Sequence, residues 1–224
     1  SLFDHSKITA ALAACMVLYL EDQGRTDYHM ELFRNRNSFY AEKAFCLFSC
    51  DVSGVQSFIY TISSKGALKG LRARSFYLEL MLENLVDEIL SECSLSRANL
   101  IYTGGAHAYM LLPNTAEARQ KAGQAVANTN NRLMELFGSR LFIAYGMQAC
   151  SADELMNRTG EPEAYSDIFR SVAGQISERK LRRYSAADLR FLNGGNTDKE
   201  GRECRICGIS ADLVEKEEGT LCAT

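Results

Sequence analysis

Leu100-Ile-Tyr-Thr-Gly-Gly-Ala-His-Ala-Tyr-Met-Leu-Leu-Pro113 is the stretch on which the fold turns. Two β-prone runs flank Gly104-Gly105, and a Gly-Gly pair between such runs predicts a hairpin, because both turn residues can take positive φ. Outward from it, the apolar run at residues 44–50 reads as a buried central strand. Residues 76–90 read as an amphipathic helix, with Leu78, Met81, Leu82, Leu85, Val86 and Ile89 on one face and Glu79, Glu83 and Asp87 on the other. Beyond the hairpin, Asn114 and Glu117 make a capping-box-like helix start, Gly138 a stop, and residues 141–150 a last strand.

That order over residues 44–150, β-α-β-β-α-β, is the ferredoxin-like split βαβ arrangement, so an α+β fold with flanking helices is expected. Polymerase palms and diguanylate-cyclase-like domains share it, and so do many binding modules, so the fold alone assigns no function. The 224 residues suffice for one or two domains, and 46% hydrophobic with 24% charged residues marks a globular chain. A net charge of −3 argues against a dedicated nucleic-acid binder and confines any such contact to local patches. The longest apolar run, residues 8–20, is too short to span a bilayer, and Ser1 opens without a charged signal region, so no membrane or secretory role is expected. Cys15, Cys46, Cys50, Cys93 and Cys150 sit in apolar patterns as small hydrophobes, which fits a reducing cytoplasm.

Residues 3–20 are helix-like, lack an evident partner within the chain, and read as the last helix of an upstream domain. Asp4-His5 is either a metal-site remnant or an N-cap beside a surface histidine. Residues 21–43 read as a linker or loop, and residues 151–192 as helices broken at Gly160-Glu-Pro162. The basic run Arg179-Lys-Leu-Arg-Arg183 is either a solvated helix face or a surface for a partner or an RNA backbone. After the break at Asn193-Gly-Gly-Asn-Thr197, residues 193–224 carry a Cys-x-x-Cys-Gly knuckle. Cys204, Cys207 and Cys222 have the spacing of a structural zinc ribbon; a redox pair would leave Cys222 unexplained.

Asp51 ends the central strand and opens Asp51-Val-Ser-Gly-Val-Gln-Ser-Phe-Ile59. A carboxylate there holds a metal in palm-type nucleotidyl-transfer domains, and the amides of Ser53 to Ser57 can cradle phosphate; the alternative is an Asp that caps the next turn. Residues 63–75 carry Lys65, Lys69, Arg72 and Arg74 and no acid. They are either a solvated basic loop or a place where an anion offsets cations set ahead of a helix start; no Walker A motif is present. Two-metal chemistry needs carboxylates on both sides of the metals. The hairpin here reads Gly104-Gly105-Ala106-His107, where an active one reads Gly-Gly-Asp-Asp or Gly-Gly-Asp-Glu. Asp51 alone cannot hold two Mg²⁺, and His107 is a poor Mg²⁺ ligand, though it can hydrogen-bond a base, ribose or phosphate. The domain reads as a degenerate palm that binds nucleotide without catalysing.

Five stretches together resemble the large subunit of type III CRISPR–Cas effector complexes, most closely the Csm type: Ser1-Leu-Phe-Asp-His-Ser-Lys7, Asp51 to Tyr60, Ser63 to Tyr77, Gly104-Gly-Ala-His-Ala-Tyr109 and the cysteine knuckle. The resemblance implies residues 1–20 as the end of an HD nuclease domain, 44–150 as a first palm, and 193–224 as the start of a zinc-bearing domain. It further implies a second palm with Gly-Gly-Asp-Asp that makes cyclic oligoadenylates from ATP and Mg²⁺, with the first palm helping to hold ATP. By position Asp51, Ser53, Gly54, Gln56, Ser57, Lys65, Arg74, Gly104, Gly105 and His107 would contact that nucleotide, and Asp4 would be a late HD-site residue. Implied partners are guide RNA, other effector subunits, target RNA and single-stranded DNA. The HD His-Asp pair, the hairpin acids and the fourth cysteine are absent from this chain, so no DNase or cyclase activity is expected of it alone. The competing expectation is a ferredoxin-like RNA- or protein-binding module with a zinc knuckle.

Overall fold

A computed structural model describes residues 1–60, 67–160 and 163–194, together with the backbone of two later strands. Strands β1 (Phe45–Ser53), β2 (Leu100–Gly104), β3 (His107–Pro113) and β4 (Phe142–Cys150) form one antiparallel sheet in the order β2-β3-β1-β4. With α4 (Ala67–Glu92) between β1 and β2 and α5 (Ala116–Phe137) between β3 and β4, this is the expected ferredoxin-like fold.

The continuous apolar run in β1 follows from burial on both faces. Cys46, Phe48, Cys50 and Val52 point to the layer of α4 and α5, where Leu78, Leu82, Leu85, Val86 and Ile89 meet Ala118, Ala122, Ala125 and Val126. The opposite parity, Phe45 and Leu47, packs under α1 (Leu2–Asp22) and α7 (Ala164–Leu181), through Cys15, Leu20, Ile168, Val172 and Ile176. A strand covered twice loses the apolar–polar alternation of a half-exposed one. All five described cysteines are free and buried, as their patterns implied.

Several expectations need correcting. Residues 3–20 do have a partner: α1 lies on the sheet, and the buried Asn99 amide ties it there by donating to Ala11 O at 3.2 Å and Leu111 O at 2.9 Å. Residues 21–43 are more than a linker. They hold a π-helical turn, Met30–Arg34, and α2 (Arg36–Ala41), with Phe39 buried and Arg25 bridging Glu31 and Glu42. From Ala67 the basic stretch is already helical, because α4 starts nine residues earlier than the apolar stripe alone suggested. The cap of α5 is Thr115, whose hydroxyl accepts from the Ala118 amide at 3.1 Å, while Asn114 donates to Lys43 O. Helix α7 ends at Leu181, and a separate α8 (Ala186–Gly194) follows. The hairpin turn sits one residue later than expected: Gly104 pairs with His107, so Gly105 and Ala106 occupy it with φ of +60° and +69°. That is a type I′ geometry, and the left-handed Ala106 costs roughly 1 kcal/mol relative to glycine.

Short helices α3 (Val55–Tyr60) and α6 (Ala152–Leu155) follow β1 and β4. The outer edge of β4 is closed by side-chain amides: Asn130 brackets Ile143 N and O at 2.7 and 2.9 Å, and Gln175 brackets Met147 N and O at 3.0 Å each. These bonds satisfy groups that would otherwise invite another strand. Strands β5 (Leu213–Lys216) and β6 (Gly219–Cys222) pair as a hairpin. Cys204 and Cys207 lie outside the described residues, as does the Cys222 side chain, so the zinc ribbon falls beyond the described structure.

Close docking of α7 depends on Gly146, where a Cβ would come within 2.5 Å of the Val172 carbonyl oxygen. Gly146→Ala is expected to destabilise the chain by about 1–3 kcal/mol in urea unfolding. Gly174→Ala, in the same helix with open space around it, is expected to stabilise it by about 0.5–1 kcal/mol. Equal stability of the Gly146→Ala chain and the wild type would refute the close contact.

Candidate functional site

Strand period two sets Ser49, Asp51 and Ser53 on one face of β1, the face that α7 covers. Register places His107, first residue of β3, opposite Asp51. Its Nδ1 lies 3.1 Å from Asp51 Oδ1 and its Nε2 3.0 Å from Ser49 Oγ. With Nδ1–H donating to the carboxylate, Nε2 accepts the Ser49 hydroxyl proton, so both nitrogens of a neutral ring are satisfied. The second carboxylate oxygen of Asp51 is paired with the Lys180 ammonium from the last turn of α7. Tilted aromatic contacts continue along the same face, His107 against Tyr109 with ring centres 5.0 Å apart and Tyr109 against Phe169 of α7 at 5.6 Å.

Burial pushes the Asp51 carboxyl up, but the His107 ring and the Lys180 ammonium outweigh it and hold it below the ordinary value of 3.8. Asp51 therefore stays ionised at neutral pH and has a cation of its own. Ser49 is fully buried, so the Ser–His–Asp chain has no route to a substrate as a nucleophile. Ser53, two residues further along, is 8% exposed, and its hydroxyl has no hydrogen-bond partner. An unsatisfied buried hydroxyl is costly, and a ligand atom would relieve it.

The structure thus brings Asp51, Ser53 and His107 together, with the exposed Gly105 tip and Gly104 adjoining. Gly54 presses against the Arg140 carbonyl, leaving no room for a side chain. Gln56 and Ser57 are exposed on α3, and the Ser57 hydroxyl donates to Gly54 O at 2.9 Å. Arg74 is placed otherwise than expected: it is buried on the other side of the sheet, donates to Phe58 O at 2.5 Å and covers the Phe58 ring, tying α4 to α3. Lys65 lies outside the described residues. Asp4 is far along the chain at the start of α1, in a reciprocal cap with Ser1. Among the described residues no group of three or more His, Cys, Asp or Glu side chains is placed to hold a metal. Two members of the site escaped the sequence reading. Ser49 was legible in the period-two stripe Ser49–Asp51–Ser53; Lys180 left no local signal, because only the packing of α7 brings it to β1.

Taken together, the strand order and the glycine hairpin define a ferredoxin-like domain of the palm type, with Asp51 at the end of its central strand paired to Lys180 and no acid in the hairpin turn. The chain belongs to the Csm1 family: the Csm1 subunit domain B matches residues 44–194. It is 47% identical over its whole length to a CRISPR system single-strand-specific deoxyribonuclease Cas10/Csm1 (subtype III-A) of Mycobacterium tuberculosis, 29% of which it covers. A protein of the same description from Streptococcus thermophilus is 41% identical over 99% of the chain and 29% of its own length. A solved Csm1–Csm4 cassette in complex with one ATP matches with TM-score 0.71 and 31% identity, over 88% of this chain and 25% of that one. The chain therefore spans less than a third of the length of these relatives.

Because the Asp51 pKa is depressed, its contribution to stability is complete well above the ordinary value of 3.8 and is lost progressively as pH falls through that value and the lower folded-state one. The stability gap between the wild type and Asp51→Asn, from urea unfolding, should be constant from neutral pH down to about 5 and narrow on further acidification. A gap indifferent to acid would show that the carboxylate is not held as described.

Proposed function

We propose that this chain supplies the non-catalytic palm of the large subunit of a type III RNA-guided antiviral effector. It helps to hold ATP for cyclic oligoadenylate synthesis by a second, Gly-Gly-Asp-Asp-bearing palm elsewhere in the protein. The observation that carries this reading is the Asp51–Lys180–His107 cluster beside the unsatisfied Ser53 hydroxyl. Palm chemistry spends its carboxylates on two divalent cations. Here the one carboxylate at that position is already neutralised by a lysine, and the hairpin offers Ala106 and His107 instead of acids. What is left can orient a nucleotide but cannot assemble a metal pair. Family membership supports the reading, as does the relative solved with one ATP.

In this reading Ser53 donates to a ribose or phosphate oxygen, Lys180 keeps the Asp51 carboxylate from repelling the phosphates, and the Gly104–Gly105 turn lets the ligand approach the backbone. Mg²⁺ would arrive with ATP on the second palm. The remaining members of the same proposal are guide RNA, target RNA, single-stranded DNA, a Csm4-type neighbour, structural zinc on Cys204, Cys207 and Cys222, and a cytoplasmic setting.

Joined to the rest of its protein, the chain is expected to bind ATP about tenfold more weakly as Ser53→Ala or Lys180→Met, the loss typical of one charge-assisted or buried hydrogen bond. Titration with a fluorescent ATP analogue measures it, with thermal melts to confirm folding. Unchanged affinity in both variants would remove this face from the ATP site. Cyclic oligoadenylate formation by the 224-residue chain alone, lost in Asp51→Ala, would overturn the non-catalytic assignment.

A further inference from the structure

At the opposite end of the sheet from Asp51, a surface depression of about 560 Å³ is lined by Arg36, Asn37 and Tyr40 of α2 and by Asp153 and Arg158 around α6. Asp51 lies roughly 20 Å along β1 from Phe45 at the usual rise, so the depression is separate from the nucleotide site proposed above. Both of its walls are fixed. Buried Phe39 anchors α2, and the capping box of Ser151 and Glu154 holds the start of α6. Lys43 pairs with Glu154 and so joins the two segments. Past α6, Asn157 takes a left-handed φ of +58°, and the Arg158 amide donates to Asp153 O at 2.7 Å. The Tyr165 amide pins that corner by donating to Asn157 Oδ1 at 3.3 Å, so the chain folds back and sets Arg158 beside Asp153.

The lining is chemically uncommitted. Among the described residues, none of the five side chains makes a hydrogen bond or ion pair within the protein. Other exposed arginines behave differently: Arg25, Arg97 and Arg170 each bridge two carboxylates. Two guanidiniums and one carboxylate leave the depression net positive, with one acceptor among its donors. Each guanidinium presents a planar fork suited to the oxygens of an oxyanion. An ionised carboxylate only accepts, and it repels a bare anionic oxygen. The ligand that satisfies all three groups is an oxyanion that still carries a hydroxyl. Its charged oxygens accept from Arg36 and Arg158, and its O–H donates to Asp153.

We infer that this depression binds inorganic phosphate in its hydrogen-phosphate form. That ion keeps a P–O–H at neutral pH. Sulfate and a phosphodiester have no such proton, and a phosphomonoester loses its last one above about pH 6. Each of these would turn a bare oxygen toward Asp153, so selectivity comes from a repulsive group as well as from attractive ones. The Asn37 amide and the Tyr40 hydroxyl add further donors at the rim. Arg36 belongs to α2 and Arg158 follows α6, so the bound ion ties two segments together and stabilises the folded chain by mass action.

The test is calorimetric titration of phosphate into the protein that carries this chain, at constant ionic strength in chloride and about pH 7.5, with thermal melts to confirm folding. Phosphate should bind about tenfold more tightly than sulfate or dimethyl phosphate, the worth of one hydrogen bond to a charged group. Arg36→Gln and Arg158→Gln should each weaken phosphate about tenfold. Arg132→Gln, on the exposed side of α5, should leave it unchanged. Asp153→Asn should let sulfate bind as tightly as phosphate, a gain that misfolding does not produce. Glycerol phosphate should match sulfate at that pH and gain affinity below about pH 6, as its proton returns. Unchanged phosphate affinity in both arginine variants overturns the site. Equal affinity of the wild type for phosphate and sulfate overturns the assignment to the protonated ion and leaves a general anion patch. Tighter binding of dimethyl phosphate than of phosphate overturns it in favour of a diester.

Discussion

A carboxylate on a sheet face that a helix covers has to be neutralised where it stands, and much of this structure follows from how Asp51 meets that demand. Removing water from an ionised group costs several kcal/mol unless partners replace the lost hydration. His107 replaces it from the adjacent strand and Lys180 from α7. Each partner is held in turn. Ser49 fixes the far nitrogen of His107, and α7 lies close enough to deliver Lys180 because Gly146 offers the Val172 carbonyl no side chain. The polar cluster and the apolar docking of Ile168, Val172 and Ile176 are thus two parts of one contact.

At the end of β1 a side chain, Lys180, supplies the positive charge that Asp51 needs. A divalent cation needs several hard oxygen ligands and brings its own reactive waters. A lysine needs one carboxylate, carries one charge and cannot polarise two oxygens across a scissile bond. The fold sets one carboxylate at the end of β1, and Lys180 and His107 occupy both of its oxygens.

Protection of the sheet edge at β4 shows the same economy. Asn130 and Gln175 bond the outward backbone groups at Ile143 and Met147 as a neighbouring strand would, without offering a strand of their own. Association along that edge is closed off.

The four strands, their order, the two helices between them and the missing hairpin acids were legible in the chain itself. Hydrophobic periodicity and glycine placement are local properties, and residues 44–150 obey them with little interference. The same local signals misplaced the turn by one residue, because alanine does not announce a left-handed conformation. They also took Arg74 for a surface cation, since a basic run looks alike whether or not one member turns inward over Phe58. Which face of β1 would hold the site, that residues 3–20 would cover the sheet, and that Lys180 would end beside Asp51 were decided by packing. Those two residues are separated by more than half the chain, and their meeting depends on the depth at which α7 settles against Gly146, a quantity set by contacts between elements and written in none of them alone.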